Sequence, residues 1–124
     1  MFIHGLSRAT GQMKSFHLSK CIEHLQDKNV AMKEIHRILK PNGVARIDVP
    51  HFTWAFAYAD PTHKHFFAYH TFFYYAGKGE YFDFKFKSCK VKIVFAKRLS
   101  IWNHLIEPLA NLFPIVYEAT PMRM

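Results

Sequence analysis

Glu23-His24, His51 and the run Asp60-Pro61-Thr62-His63-Lys64-His65 hold the side chains best suited to chemistry. Imidazole and carboxylate groups move protons and ligate metals. Asp60, His63 and His65 tempt a metal reading, yet they crowd onto one short loop with no matching cluster elsewhere, so no metal is expected. Asp60-Pro61 is equally a good turn start. Glu23 serves as well as a capping or helix-dipole partner, and His24 as a packed turn histidine. The sequence has no Ser-His-Asp elbow, phosphate loop or paired-carboxylate pattern. Cys21 and Cys89 lie far apart within apolar runs, which reads as two buried free thiols and a reducing, cytoplasmic setting.

Composition narrows the rest. Half of the 124 residues are hydrophobic and 17% are aromatic, ample material for a core and no sign of compositional disorder. The formal charge of +8 draws a protein towards nucleic acid or other anionic partners. Its densest part, Lys85, Lys87, Lys90, Lys92, Lys97 and Arg98, alternates with apolar residues like the wet face of strands, so nucleic-acid binding is only weakly supported. No stretch reaches the length of a membrane span.

The elements that must position these side chains can be read from periodicity. Residues 15–22 read as a short buried strand and 23–26 as a turn. Asp27 then caps a helix in which Ala31, Ile35, Ile38 and Leu39 share one face, and Lys40-Pro41-Asn42-Gly43 ends it. Residues 44–49 read as a second strand with Ala45, Ile47 and Val49 on one face. Strand, helix and strand in this order predict a parallel crossover unit and an α/β sheet. Residues 50–79 are aromatic and irregular and follow the carboxyl end of a parallel strand, where such sheets bind ligands, so they are the candidate substrate lid. Its aromatics lack the spacing of an RNA-recognition sheet and read as core or substrate wall. A short helix is expected near 71–76, then a turn at Gly77-Lys78-Gly79. Residues 81–86 and 91–98 read as strands of a hairpin about Lys87-Ser88-Cys89, and 101–112 as an amphipathic helix interrupted by Pro108.

Cys21-Ile22-Glu23-His24-Leu25, Ile38-Leu39-Lys40-Pro41-Asn42-Gly43 and Asp60-Pro61-Thr62-His63-Lys64-His65-Phe66-Phe67 together resemble the second half of a class I S-adenosylmethionine-dependent methyltransferase of the type 11 group. The resemblance covers about residues 15–118. It implies a partial Rossmann-like sheet, with S-adenosylmethionine as cofactor and an unidentified methyl acceptor. It places Ser19, Lys20, Cys21, Glu23 and His24 beside the methionine part of the cofactor, and His51, Asp60 and His63 as base or substrate-orienting residues. Lys20 stands where a histidine is common, and His65 where an arginine is usual, which removes one planar anion-binding fork.

The glycine-rich turn and the ribose-binding carboxylate of such enzymes have no counterpart here, since residues 1–14 hold only Gly5 and Gly11 and no acidic residue. Residues 1–14 are therefore expected to be an irregular leader and 15–124 a single partial domain, truncated at both ends and impaired or inactive alone. The family's last strand, which inserts antiparallel between the final two strands of the sheet, is expected to be missing. The alternative is a non-catalytic remnant or interaction subunit, pairing with a second copy or another protein through an open sheet edge and an aromatic surface.

Overall fold

The computed structural model describes residues 2–7, 13–94 and 100–119, with side chains for 13–94 and 104–119. It is an α/β fold of the partial Rossmann-like kind. Strand β2 (Met13–Ser19) leads through a 3-10 turn at Ile22–His24 to helix α1 (Lys28–Ile38) and strand β3 (Leu39–Asp48). β2 and β3 pair in parallel, Phe16 with Ala45 and Ser19 with Asp48, as the crossover reading requires.

Local chemistry explains each boundary. The Asp27 carboxylate accepts from Asn29 N–H at 2.8 Å and Val30 N–H at 3.2 Å, satisfying two of the free amides of the first turn. α1 ends at Ile38, earlier than the sequence suggested, and residues 39–43, expected to close the helix, belong to β3, where Asn42 takes a left-handed φ of 62°. A Cβ at Gly43 would sit 2.9 Å from the Lys40 carbonyl oxygen and 3.0 Å from that of Met13, so only glycine lets β3 cross the start of β2 this closely.

Ala45, Ile47 and Val49 are buried as their alternation predicts, and Ile35 and Leu39 meet them. Met32 is buried more deeply than Ala31 or Ile38. The aromatic segment completes this core. Phe67 is wholly buried and stacks on Phe72, while the Tyr75 hydroxyl donates to Asn29 Oδ1 at 2.6 Å and ties the 3-10 turn Thr71–Ala76 to α1. Burial pushes the Tyr75 hydroxyl up to about 12, and burial pushes the Cys89 thiol up to about 11, so Cys89 is the inert thiol its apolar setting suggests. Gly77 and Gly79 both have positive φ, in the turn expected there.

Several expectations fail. The leader is not irregular, because residues Phe2–Ser7 form strand β1. β1 lies antiparallel between β3 and β4 (Phe86–Lys92), giving the order β2-β3-β1-β4. It thus occupies the slot in which the family resemblance puts a last strand, and it does so from the other end of the sequence. No hairpin forms about Lys87-Ser88-Cys89 either, since all three residues lie inside β4. Phe82 and Phe84 alternate as strand residues do, yet they stack on Tyr75 instead of pairing, and residues 95–98 of the expected second strand lie outside the described residues. Lys85, Lys87, Lys90 and Lys92 are exposed on and beside this edge strand, where like charges discourage pairing with another sheet. Helix α3 (Ser100–Leu112) runs through Pro108 without interruption, and α4 (Pro114–Ala119) follows.

Replacing Asp27 by alanine is expected to lower unfolding stability by about 1 kcal/mol, with asparagine restoring most of it; urea denaturation followed by circular dichroism measures both.

Candidate functional site

Ser19 ends β2 and Asp48 ends β3, and because the two strands run the same way both ends open on one side of the sheet. A cleft of about 700 Å³ lies there. Ser19, Lys20, Glu23 and His24 line it from the β2 side, His51, Thr53 and Trp54 from the β3 side, and Asp60, His63 and Tyr117 from the loop and α4. Of the residues singled out in the sequence, Cys21 and His65 do not line it. Lys20 has a φ of 49°, a conformation costing roughly 1 kcal/mol outside glycine, and its N–H is held by the Asp48 carbonyl at 3.0 Å.

The aromatic segment divides in two. Residues from His51 to His63 contribute to the cleft wall, with Trp54 and Phe56 well exposed, whereas Phe67, Phe72 and Tyr75 belong to the core. The first part includes the short helix α2 (Phe56–Ala59).

His51 is 8% exposed and sits at the centre of a hydrogen-bonded chain. Its Nε2 meets Glu118 Oε1 at 2.8 Å and its Nδ1 meets Thr53 Oγ1, also at 2.8 Å. A carboxylate only accepts, so the Nε2 proton goes to Glu118, and Nδ1 accepts the Thr53 hydroxyl proton and a long contact from Thr53 N–H. Thr53 Oγ1 then accepts from the Tyr117 hydroxyl at 3.0 Å. The Glu118 oxygen also accepts from Tyr69 N–H. Burial holds the His51 imidazole below its ordinary value of 6.5, opposed by Glu118, so the ring is neutral and its Nδ1 lone pair is available for proton transfer near neutral pH. Thr53, Tyr117 and Glu118 were not identified from the sequence; Glu118 lies 67 positions from His51 and no local pattern links them. What brings α4 there is Asn111 on α3, whose side chain donates to the Ile93 carbonyl and accepts from the Ile93 N–H, both at 2.9 Å.

Asp60 and His63 stand on the opposite side. The Asp60 carboxylate accepts from Thr62 Oγ1 at 2.6 Å and from Thr62 N–H at 2.9 Å, and these bonds hold it below the usual carboxylate range. This is the turn chemistry expected of Asp60-Pro61. His63 Nδ1 donates to the Ala57 carbonyl at 2.8 Å. The Glu23 carbonyl accepts from Lys64 N–H at 2.7 Å and His65 N–H at 3.2 Å, which draws the loop against the 3-10 turn and brings His24 and His63 within 4.7 Å, ring to ring. The hydrogen bonds described link His51 to Glu118, Thr53 and, through Thr53, Tyr117, and none of them joins it to Asp60 or His63.

A family model described as a methyltransferase domain matches residues 6–47, which take in β2, α1 and most of β3. The match supports S-adenosylmethionine-dependent methyl transfer in general. No curated protein and no solved structure matches the chain. Among the described residues no helix is long and apolar enough to cross a membrane.

The buried neutral His51 carries a consequence for stability. Its folded value lies below the unfolded one, so the unfolded chain binds the extra proton first and stability falls as pH drops below about 6.5. His51→Gln is expected to flatten the fall between about pH 7 and pH 5 relative to the unsubstituted chain; thermal melts across that range measure the difference, and parallel curves would show that His51 is not the group responsible.

Proposed function

We propose that the chain is a methyltransferase-like domain. It holds the acceptor and the methionine end of S-adenosylmethionine, and is impaired alone. The observation that carries this reading is the placement of Ser19, Lys20, Glu23 and His24 along one wall of a cleft at the carboxyl ends of parallel strands, with His51 on the facing wall. S-adenosylmethionine, when bound, supplies a sulfonium methyl carbon that needs little more than alignment and a dry approach. The chain's part is to hold the acceptor among Trp54, Phe56 and Tyr117 and to take its proton. As the new bond to the methyl carbon forms and the carbon–sulfur bond breaks, the acceptor proton passes by way of Thr53 to His51 Nδ1, and Glu118 steadies the resulting imidazolium. The acceptor is an oxygen, nitrogen or carbon nucleophile, and the wall residues do not narrow it further.

The residues present fit the cofactor only in part. Ser19 and the Lys20 backbone would contact its methionine end, while no glycine-rich turn or ribose carboxylate is found in the sequence. Among the described residues β2 has β3 as its one neighbour, so its other edge is the place where further parallel strands bearing those groups would pair. A second reading, an interaction subunit without catalysis, is favoured by the exposed Leu105, Leu109, Leu112, Ile115 and Val116 on α3 and α4.

Calorimetric titration with S-adenosylmethionine and with S-adenosylhomocysteine decides between them. Binding with a Kd of about 1 mM is expected, about 4 kcal/mol weaker than a micromolar site, and Lys20→Pro, which removes the N–H that anchors that wall, should abolish it. A folded chain giving no heat with either ligand well above that concentration would overturn the methyl-transfer reading in favour of the interaction subunit.

A further inference from the structure

We propose that Glu23, His24 and His63 form a binding site for a divalent transition-metal ion of the zinc class, independent of the methyl-transfer reading. One ligand atom from each residue lies within 4.8 Å of the other two. Glu23 is 1% exposed, and its Oε2 is buried with no hydrogen-bond partner, although an uncompensated buried carboxylate oxygen is strongly unfavourable.

The surrounding hydrogen bonds fix both imidazoles in the form a metal requires. His63 Nδ1 carries a proton, since its partner is the Ala57 carbonyl, and its Nε2 is left with a lone pair. Thr62 gives its single hydroxyl proton to Asp60, so at 2.9 Å it can only accept from His24 Nδ1, and the Thr62 carbonyl at 3.3 Å accepts there too. In the neutral ring His24 Nε2 is therefore also the nitrogen with the lone pair, 3.9 Å from Glu23 Oε1. His63 Nε2 in turn lies 3.7 Å from Asp60 Oδ2. Neither separation is a hydrogen bond. Lone pairs and carboxylate oxygens thus converge on one place with no proton between them, and a cation resolves that arrangement.

The donor set selects among cations. Two imidazoles with one carboxylate favour zinc, cobalt or iron over magnesium or calcium, which prefer oxygen ligands. Zinc bonds of about 2.0–2.1 Å put neighbouring ligand atoms roughly 3.3 Å apart, so side-chain rotations of about 1 Å close the site. Thr62 and the Ala57 carbonyl act as orienting groups behind the ligands. Because all three ligand residues and Asp60 line the cleft, the open side of the ion faces the cleft. The sequence gave no metal expectation here because Glu23-His24 and His63 are brought together only by the bonds from Lys64 and His65 to the Glu23 carbonyl.

The test is titration of tag-free, chelator-treated chain with Zn²⁺, Co²⁺ and Mg²⁺ by calorimetry, with the visible absorption of bound Co²⁺ and the thermal melt recorded alongside. One Zn²⁺ or Co²⁺ per chain, a Co²⁺ spectrum of low coordination number and a raised melting temperature are expected, with Mg²⁺ giving none of these. Glu23→Gln keeps the buried shape, and His24→Asn lies on a partly exposed turn; each should weaken binding at least tenfold, and Thr62→Val about tenfold through the lost orientation of His24. A His36→Asn variant, altered away from the cleft, should bind as the unsubstituted chain does. Failure to bind at millimolar Zn²⁺, Mg²⁺ binding as tight as Zn²⁺, or affinity unchanged in Glu23→Gln and His24→Asn would overturn the proposal.

Discussion

The parallel pairing of β2 on β3 is the constraint on which the molecule depends. Ser19 opposite Asp48, extended by the bond from Lys20 N–H to the Asp48 carbonyl, aligns the two carboxyl ends. A parallel pair cannot be joined by a tight turn, so the chain must cross over through α1, and the apolar side of that helix closes over Ala45 and Ile47. Everything that lines the cleft is then hung on two adjacent strand ends: the 3-10 turn Ile22–His24 on one, and the loop from Val49 to His63 on the other. The cleft is a product of strand direction before it is a product of any side chain.

The parts legible in the sequence are those decided within one or two turns of chain. Asp27 announced its cap, Asn42 and Gly77 their positive φ, and the alternation from Val44 to Val49 its buried face, because each depends on neighbours a few residues away. β1 was not legible, since Phe-Ile-His-Gly-Leu-Ser has no decisive period and is a strand only because β3 and β4 flank it. The expected hairpin fails for the converse reason. Residues 81–86 have the period of a strand, yet aromatic stacking on Tyr75 satisfies Phe82 and Phe84 without one. In the site, the resemblance identified most of the wall residues by position. The partners that orient their rings, Glu118 for His51 and Thr62 for His24, come from 67 and 38 positions away and left no local trace.

The two polar groups of the cleft solve the burial of charge differently. Around His51 each donor meets an acceptor, and burial keeps the ring neutral against the pull of Glu118. Around Glu23 the bookkeeping is incomplete, with acceptors facing acceptors across about 4 Å. One cleft therefore contains a finished hydrogen-bond chain suited to moving a proton and an unfinished cluster suited to receiving a cation, on facing walls and built by different loops.

The central placement of β1 also orders events in time. Phe2 pairs with Lys92 and Ile3 with Val91, while Leu6 pairs with Val44, so β1 meets its second neighbour only after residues 86–92 have been made. Contacts of such separation are slow to form. Until they do, the β2, α1 and β3 unit can assemble by local contacts and stands with one strand edge unpaired on each side. The nascent protein is therefore exposed to intermolecular strand pairing during that interval, and its yield of folded chain depends on how soon residues 86–92 arrive to trap β1.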